Sequence, residues 1–154
     1  IEIAPNDFAS YDNLGIAYFT INDYDNAIIN FKKSLEFKPD NSSAAYNLAY
    51  SYYLSKQYDL AKDAFIKSIS ITEDDEEAHF NLGNTCLILK EYESALESFN
   101  KVLSINPGHE EESWQRFYEE AVNRFINESY EGGYEESLIK EFETYLPEIP
   151  PWQK

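Results

Sequence analysis

The sequence predicts an all-α solenoid of stacked helix pairs, and two observations support this fold class. A shift of 34 positions superimposes columns of leucine, alanine, phenylalanine and tyrosine along residues 8–109. A fixed period of this length is typical of repeat proteins, in which each unit buries its apolar side against the next unit. Each unit also contains two stretches of helical periodicity separated by a short polar break, for example 42–55 and 58–71.

The repeated columns have residue types that suit the packing of paired helices. Two helix axes can approach closely only where the side chains between them are small. Small residues recur in two columns, which are Gly15, Ala49 and Gly83, and Ala27, Ala61 and Ala95. Large side chains fill the wider gaps, where burying each one contributes roughly 1.5–3 kcal/mol. These larger columns are Leu14, Leu48 and Leu82, then Phe31, Phe65 and Phe99, and finally Tyr24, Tyr58 and Tyr92.

Polar side chains mark the starts of predicted helices. Asp40 and Asn41 precede one helix, and Asp74 and Asp75 precede another. Their oxygens can accept hydrogen bonds from first-turn amides that lack a partner within the helix. The acidic run 73–77 (EDDEE) has neither the alternating ligands nor the glycine of a calcium loop. We therefore interpret this run as helix capping and expect no metal site there.

Composition limits the classes of partner. The chain has 12 basic and 29 acidic residues and a formal net charge of -17, which repels nucleic acid and anionic lipid surfaces. No apolar run approaches the roughly 18 residues that cross a bilayer, so we expect no membrane contact by this segment. The lone Cys86 excludes an intrachain disulfide. The sequence favours the cytoplasm but leaves the compartment open. The chain starts inside a repeat, so an upstream leader or anchor is compatible with it.

A known family resembles the repeated unit. Seven positions of the first unit follow the order Tyr11, Leu14, Gly15, Tyr18, Ala27, Phe31 and Pro39. This order resembles the signature of the tetratricopeptide repeat (TPR) family, and the next two units keep most of it. The resemblance implies a right-handed superhelical solenoid of antiparallel helix pairs. It also implies that the first helices line a concave groove, which in this family usually binds an extended peptide or a helix of another protein.

The resemblance also divides the chain into segments. From residue 110 a helical apolar stripe continues, but the leucine and tyrosine columns are lost. We expect a C-terminal capping helix pair there, because a solenoid must cover its exposed last face. The predicted segments are 1–7 as the tail of an upstream repeat, 8–41, 42–75 and 76–109 as three repeats, 110–146 as the capping helices and 147–154 as a tail.

The groove positions can be identified by steps of 34 residues along the first helices. Tyrosine suits such a surface, because its ring contacts a ligand while its hydroxyl is hydrated, and asparagine can bond to a ligand backbone. The alternative is that these aromatic rings pack against one another or against the C-terminal helices. The expected partner-binding residues are Tyr46, Asn47, Tyr50, Tyr53, Phe80, Asn81, Asn84, Trp114 and Tyr118.

One variety of the family binds the acidic C-terminal tails of heat-shock chaperones through lysines, asparagines and an arginine. The corresponding positions here are Asp12, Ile16, Asn47, Glu77 and Asn81, and only Asn47 matches. Acidic and apolar groups repel or ignore a carboxylate. We therefore predict that this protein does not bind such tails.

Catalysis requires converging groups with tuned proton affinities, and the sequence offers no such set. His79 stands where the family has a packing residue, and Cys86 replaces a packing tyrosine. His109 follows a turn, and the Gly132–Gly133 pair lacks the lysine of a phosphate loop. We expect no enzyme, no cofactor and no metal.

The sequence therefore predicts a scaffold or adaptor that binds an apolar or amphipathic peptide or helix, with basic flanks allowed, in an aromatic concave groove. The alternative is a structural or assembly module whose groove is filled by its own C-terminal helix or by another copy, which leaves self-association open. A further alternative is a regulatory domain of a longer enzyme.

Overall fold

The first part of the chain is a row of helices joined by short turns. The computed structural model describes residues 7–106 and, separately, Asn123, an exposed helical residue. The chain divides into two units, Ile1–Gly108 and His109–Lys154, and the row belongs to the first. The helices are α1 (Phe8–Thr20), α2 (Tyr24–Phe37), α3 (Ser42–Leu54), α4 (Tyr58–Ile71), α5 (Glu76–Ile88) and α6 (Tyr92–Ile105). Within residues 7–106 this confirms the predicted all-α helical repeat class.

Several predicted segments fall outside the residues that the structure describes. These are most of the N-terminal segment 1–7, the capping helices at 110–146 apart from Asn123, and the tail at 147–154. Within residues 7–106, every helix is too short or too polar to cross a bilayer.

Four helices begin with a side-chain cap, namely α1, α2, α3 and α5. In the acidic run, Asp75 accepts a hydrogen bond from the backbone N–H of Ala78 at 3.0 Å, which caps α5 as the sequence predicts. At the start of α3, the Asn41 side chain accepts from the N–H of Ala44 at 3.4 Å. These bonds satisfy amides that the first helical turn leaves unpaired.

The turns inside the three helix pairs share one backbone conformation. Asn22, Lys56 and Lys90 have φ values of 61°, 62° and 63°, in the left-handed region that costs roughly 1–2 kcal/mol for residues with a side chain. In each turn, the backbone N–H of the residue immediately before the second helix donates to a carbonyl of the first helix, as from Gln57 to Tyr52 at 2.9 Å. The closing bond fixes how each pair folds back on itself.

The small-residue column lies where each first helix meets an aromatic ring of its partner. A Cβ added at Gly15 would lie 2.6 Å from a ring carbon of Phe31, and one at Gly83 would lie 2.7 Å from Phe99. Phe31 is fully buried, and Phe99 is 3% exposed. The close approach of the helices therefore depends on the small column, as the sequence predicts.

A second buried series recurs at half the repeat length. Ser34, Ser51, Ser68 and Thr85 are 17 residues apart, and each is fully buried. The Ser51 and Thr85 hydroxyls donate to the carbonyls of Asn47 and Asn81, both at 2.6 Å. The Ser68 hydroxyl is buried without a hydrogen-bond partner. The four residues lie on α2, α3, α4 and α5, so the series alternates between second and first helices.

Contacts between helices are not the same in the two layers. Each helix packs against the next along the chain, and α1 also contacts α3, as α3 contacts α5. The second helices have at most marginal contacts with one another. The first helices α1, α3 and α5 therefore form the more closely packed layer, and the candidate site lies on it.

Candidate functional site

A stack of tyrosine rings runs along α3. Tyr46, Tyr50 and Tyr53 are spaced by four and three residues, so they share one stripe of the helix. The ring centroids of Tyr46 and Tyr50 are 6.0 Å apart with planes at 21°, and those of Tyr50 and Tyr53 are 6.0 Å apart at 9°. All three residues are half-buried. We call this stripe, together with Ile16 and Phe19 of α1, the tyrosine face.

Neighbouring helices hold the stack in place. Phe19 of α1 lies 5.8 Å from the Tyr50 ring, which joins the first two repeats across the face. Tyr53 meets Tyr58 edge-on at 5.8 Å, and Tyr46 meets the buried Phe65 edge-on at 6.1 Å. The rings thus pack against one another, as the alternative in the sequence analysis holds, yet each stays half-buried. Internal stacking limits their motion while leaving part of each ring at the surface.

The Tyr46 hydroxyl links α3 to α5. The Asn81 side-chain amide donates to this hydroxyl and to the backbone carbonyl of Glu77, both at 3.0 Å. Burial, with the nearby charges of Glu77 and Asp75, raises the pKa of Tyr46 well above its usual range. The two Asn81 donors are therefore used within the protein, and its side-chain carbonyl is the group left to accept from a bound segment.

The other predicted site residues have different surroundings. Phe80 is half-buried and lies edge-on to Phe99, 5.8 Å away within its own helix pair. Asn84 is half-buried, and the Asn47 amide donates to the Ser43 hydroxyl at 3.4 Å. Trp114 and Tyr118 lie outside the described residues. Among the predicted residues, the structure brings together Tyr46, Tyr50, Tyr53 and Asn81.

Charge is distributed unequally between the two helix layers. The layer of α1, α3 and α5 has no lysine or arginine, and its carboxylates are Asp12, Glu76 and Glu77. Some lysines of the other layer are paired, such as Lys62 with Glu91 at 2.6 Å and Lys101 with Asp74 at 3.1 Å. The lysines of residues 7–106 lie on second helices or in turns, namely Lys32, Lys33, Lys38, Lys56, Lys62, Lys67, Lys90 and Lys101.

Asp12 is an acid of this layer with an unused acceptor. One carboxylate oxygen, Oδ2, accepts from the Asn41 amide at 3.4 Å. The other, Oδ1, is buried and has no hydrogen-bond partner. The residue as a whole is half-buried on α1, one turn before the exposed Ile16.

His79 and Cys86, which the sequence analysis excluded from catalysis, have packing roles here, whereas His109, Gly132 and Gly133 lie outside the described residues. The His79 ring is buried, and its Nε2 lies 2.8 Å from the backbone carbonyl of Glu73, which ties α5 to the preceding turn. Cys86 is 1% exposed, and burial raises the pKa of its thiol to about 11, so the thiol is protonated at neutral pH. Among the described residues, no group of three or more His, Cys, Asp or Glu side chains is arranged to hold a metal ion.

Three features of the site were missed by the sequence analysis. Phe19 was not among the expected binding residues, although it contacts Tyr50. The absence of lysine from the first helices is visible in the sequence once the lysines are sorted by predicted helix. The unpaired oxygen of Asp12 had no sequence signal, because it depends on the position of Asn41, the residue that caps α3.

Comparisons with known structures agree with this fold. The chain is similar to the first TPR of Spaghetti (RPAP3) bound to the HSP90 peptide SRMEEVD, with 20% identity, coverage of 82% of this chain and 98% of that one, and a TM-score of 0.72. It is also similar to MamA, with 25% identity, 84% and 83% coverage and a TM-score of 0.68. The TPR2B domain of yeast Sti1 in complex with pHsp70 matches with 21% identity, 76% and 97% coverage and a TM-score of 0.69.

Comparisons of sequence identify the family. No curated protein matches the chain. The model of the family described as anaphase-promoting complex, cyclosome, subunit 3 matches residues 21–102, which is more than half of the 154 residues. The 34-residue repeat, the six helices of residues 7–106 and this match lead to one conclusion. The chain belongs to that family and is a tetratricopeptide repeat protein.

Proposed function

We propose that this protein is a non-enzymatic interaction module that binds an apolar or amphipathic segment of another protein on the tyrosine face. The observation that carries the proposal is the stack of Tyr46, Tyr50 and Tyr53, which is half-buried on a helix layer without a basic residue. Tyrosine is enriched among the residues that dominate binding energy at protein interfaces. A stack that is already ordered also loses little side-chain entropy when a partner binds.

The partner of this face differs from an acidic chaperone tail. The structures of Spaghetti and yeast Sti1 contain an HSP90 peptide and pHsp70, respectively. In this chain Asp12 and Glu77 occupy two of the positions where a clamp for such tails needs polar or basic groups. An acidic peptide would meet like charge there, without a cation on α1, α3 or α5 to offset it. We expect the peptide SRMEEVD to show no binding to this chain at physiological salt.

Affinity capture from the source cells tests the site. The full chain and a Tyr50→Ala/Tyr53→Ala variant serve as parallel baits, followed by mass spectrometry. These two positions are preferred to Tyr46, which also contacts buried Phe65 and bonds to Asn81, so that its loss would affect the fold. We expect a partner that the wild type retains and the double variant loses.

A matched control separates binding from general damage. Tyr11→Ala also removes a half-buried tyrosine, one that stacks on Phe37 at 5.7 Å and does not belong to the tyrosine face. We expect this control to retain the partner, provided that circular dichroism shows both variants to be folded. A partner kept by the Tyr50/Tyr53 variant would overturn the proposed site.

Self-assembly is an outcome of the same set of experiments. If a second copy fills the face, light scattering will show a mass that doubles with concentration for the wild type and not for the Tyr50→Ala/Tyr53→Ala variant. A mass that stays monomeric at high concentration would exclude filling by a second copy. We expect the monomer.

A further inference from the structure

We propose that the tyrosine face selects a segment in which a lysine or arginine side chain pairs with Asp12, beside a large apolar side chain that packs on Ile16 and Tyr50. This inference rests on the proposed function, because it specifies the chemistry of the segment that the face binds. It adds a basic residue at a defined place to the apolar contact.

The first support is the incomplete bonding of the Asp12 carboxylate. Its Oδ2 accepts a bond from Asn41 at 3.4 Å, while its Oδ1 is buried without a partner. A carboxylate oxygen removed from water without a donor is costly, so a donor that reaches it is favoured. The residue as a whole is only half-buried, so part of its carboxylate borders the surface of the layer. An ammonium or guanidinium group supplies the missing donor with opposite charge.

The second support is the charge of the surroundings. No lysine or arginine of α1, α3 or α5 is available to pair with Asp12 from within the layer. On the other side of the stack, toward α5, the negative charges of Glu77 and Asp75 act on the Tyr46 hydroxyl. A cation brought by a partner therefore meets attraction from both sides of the α3 stack. This charge complementarity favours a basic segment over an acidic one.

The third support is the spacing of Asp12 and Ile16. They lie four residues apart on one stripe of α1, which is about 6 Å along the helix axis. Ile16 is 41% exposed. Phe19, three residues further along α1, lies 5.8 Å from the Tyr50 ring. In an extended segment, side chains two residues apart point the same way at roughly 6.6–6.8 Å. A basic residue and a large apolar residue separated by one position therefore match the two contacts.

A random-peptide phage display library tests the inference. The library is selected in parallel on the full chain, on Asp12→Asn and on Asp25→Asn, which removes the same charge from an exposed position on α2. On the wild type and Asp25→Asn, we expect peptides with lysine or arginine one position removed from a large apolar residue. On Asp12→Asn, we expect the apolar preference to remain and the basic preference to be lost.

The affinity of one selected peptide then gives the magnitude. We expect Asp12→Asn to weaken binding about tenfold, and the exchange of the peptide's basic residue for glutamine to have the same effect. The two changes together should cost no more than either alone, because they remove the same pair. The amide oxygen of the variant still accepts from Asn41, so the melting temperature should be unchanged. A purely structural role of Asp12 would instead lower the melting temperature and leave the basic preference intact.

Each remaining outcome overturns something specific. Apolar peptides without basic residues on the wild type would overturn the Asp12 inference and leave the proposed function standing. An equal loss of basic preference on Asp12→Asn and Asp25→Asn would show an effect of net charge, and would also overturn the inference. No enrichment on the wild type would overturn both.

Discussion

Two adjacent tyrosines of α3 have different surroundings, and the contrast separates fold from function in this protein. Tyr52 is 6% exposed, and the Lys32 ammonium of α2 lies 5.7 Å from its ring centroid. Tyr53, the next residue, is half-buried and stacks on Tyr50 at 6.0 Å. Successive residues of a helix point about 100° apart. One tyrosine therefore faces α2, and the other faces the surface of the first-helix layer.

The packed side and the tyrosine face of α3 therefore need different tests. On the packed side, Ala44, Ala45 and Leu48 join Tyr52 in the core. A change there should affect stability first and binding only through loss of fold. A change on the face should affect binding first.

Truncation of Tyr52 should produce the largest effect. We expect Tyr52→Ala to lower the free energy of unfolding by about 3 kcal/mol or more, because it leaves a cavity against α2. Tyr53→Ala, its matched control, should lower it by about 1–2 kcal/mol, because two ring contacts are lost, with Tyr50 and with Tyr58. Urea denaturation followed by circular dichroism measures both. Equal losses would show that Tyr53 is also a core residue and would contradict the prediction.

Addition of a methyl group at Gly83 tests whether the packed side is equally tight in each repeat. The new Cβ would lie 2.7 Å from a ring carbon of Phe99, so the ring or the helix must move. We expect Gly83→Ala to destabilise by about 1 kcal/mol, as the cost of overpacking exceeds the gain in helix propensity.

Repeat two already has Ala49 at the corresponding position, fully buried. Ala49→Gly is the reciprocal change, and we expect it to cost about 1 kcal/mol through propensity. Thermal melts compare the melting temperatures of the two variants with that of the wild type. A higher melting temperature for Gly83→Ala would show that the third repeat has room for the methyl group.

Tyr46 touches both sides, and its hydroxyl makes stability depend on pH. At neutral pH, Tyr46→Phe should cost about 1 kcal/mol, because the bond from Asn81 is lost. The pKa of Tyr46 is raised in the folded state, chiefly by burial. Above pH 10, the usual tyrosine pKa, the unfolded chain releases this proton while the folded chain retains it, so stability falls as pH rises.

The wild type should therefore lose stability more steeply than Tyr46→Phe above about pH 10. Tyr53, whose pKa is also raised, contributes equally to both proteins and drops out of the difference. Denaturant titrations across this pH range supply the measurement. Parallel curves would contradict the burial of the hydroxyl.

Much of the fold follows from the sequence because each repeated column has one physical requirement. Gly15 and Gly83 meet aromatic rings at under 3 Å from an added Cβ, and only the smallest residues satisfy that contact. The site follows in part: the spacing of Tyr46, Tyr50 and Tyr53 predicts a shared stripe, which the structure has. That spacing cannot show that the rings stack on one another while staying half-buried, since this depends on side-chain rotation.

Contacts between α1, α3 and α5 and their caps are the part that the sequence does not predict. The bonds from Asn81 to Tyr46 and from Asn41 to Asp12 span 35 and 29 residues, and each joins one first helix to the start or body of the next. They depend on the distance between α1, α3 and α5, which no single column encodes. The buried hydroxyl series was visible as a 17-residue period, but only a search at half the repeat length finds it.

The smallest expected effect concerns one member of that series. Ser68 is fully buried, and its hydroxyl has no hydrogen-bond partner. Removal of an unsatisfied buried hydroxyl removes a desolvation cost, so Ser68→Ala should raise the free energy of unfolding by about 0.5–1 kcal/mol. In Ser51→Ala, the same change removes a 2.6 Å bond to the carbonyl of Asn47, so we expect no gain there. Opposite signs in paired urea titrations would show that the packed side of these helices tolerates a polar group only where a carbonyl accepts it, whereas equal effects would mean that Ser68 has a donor or acceptor in solution.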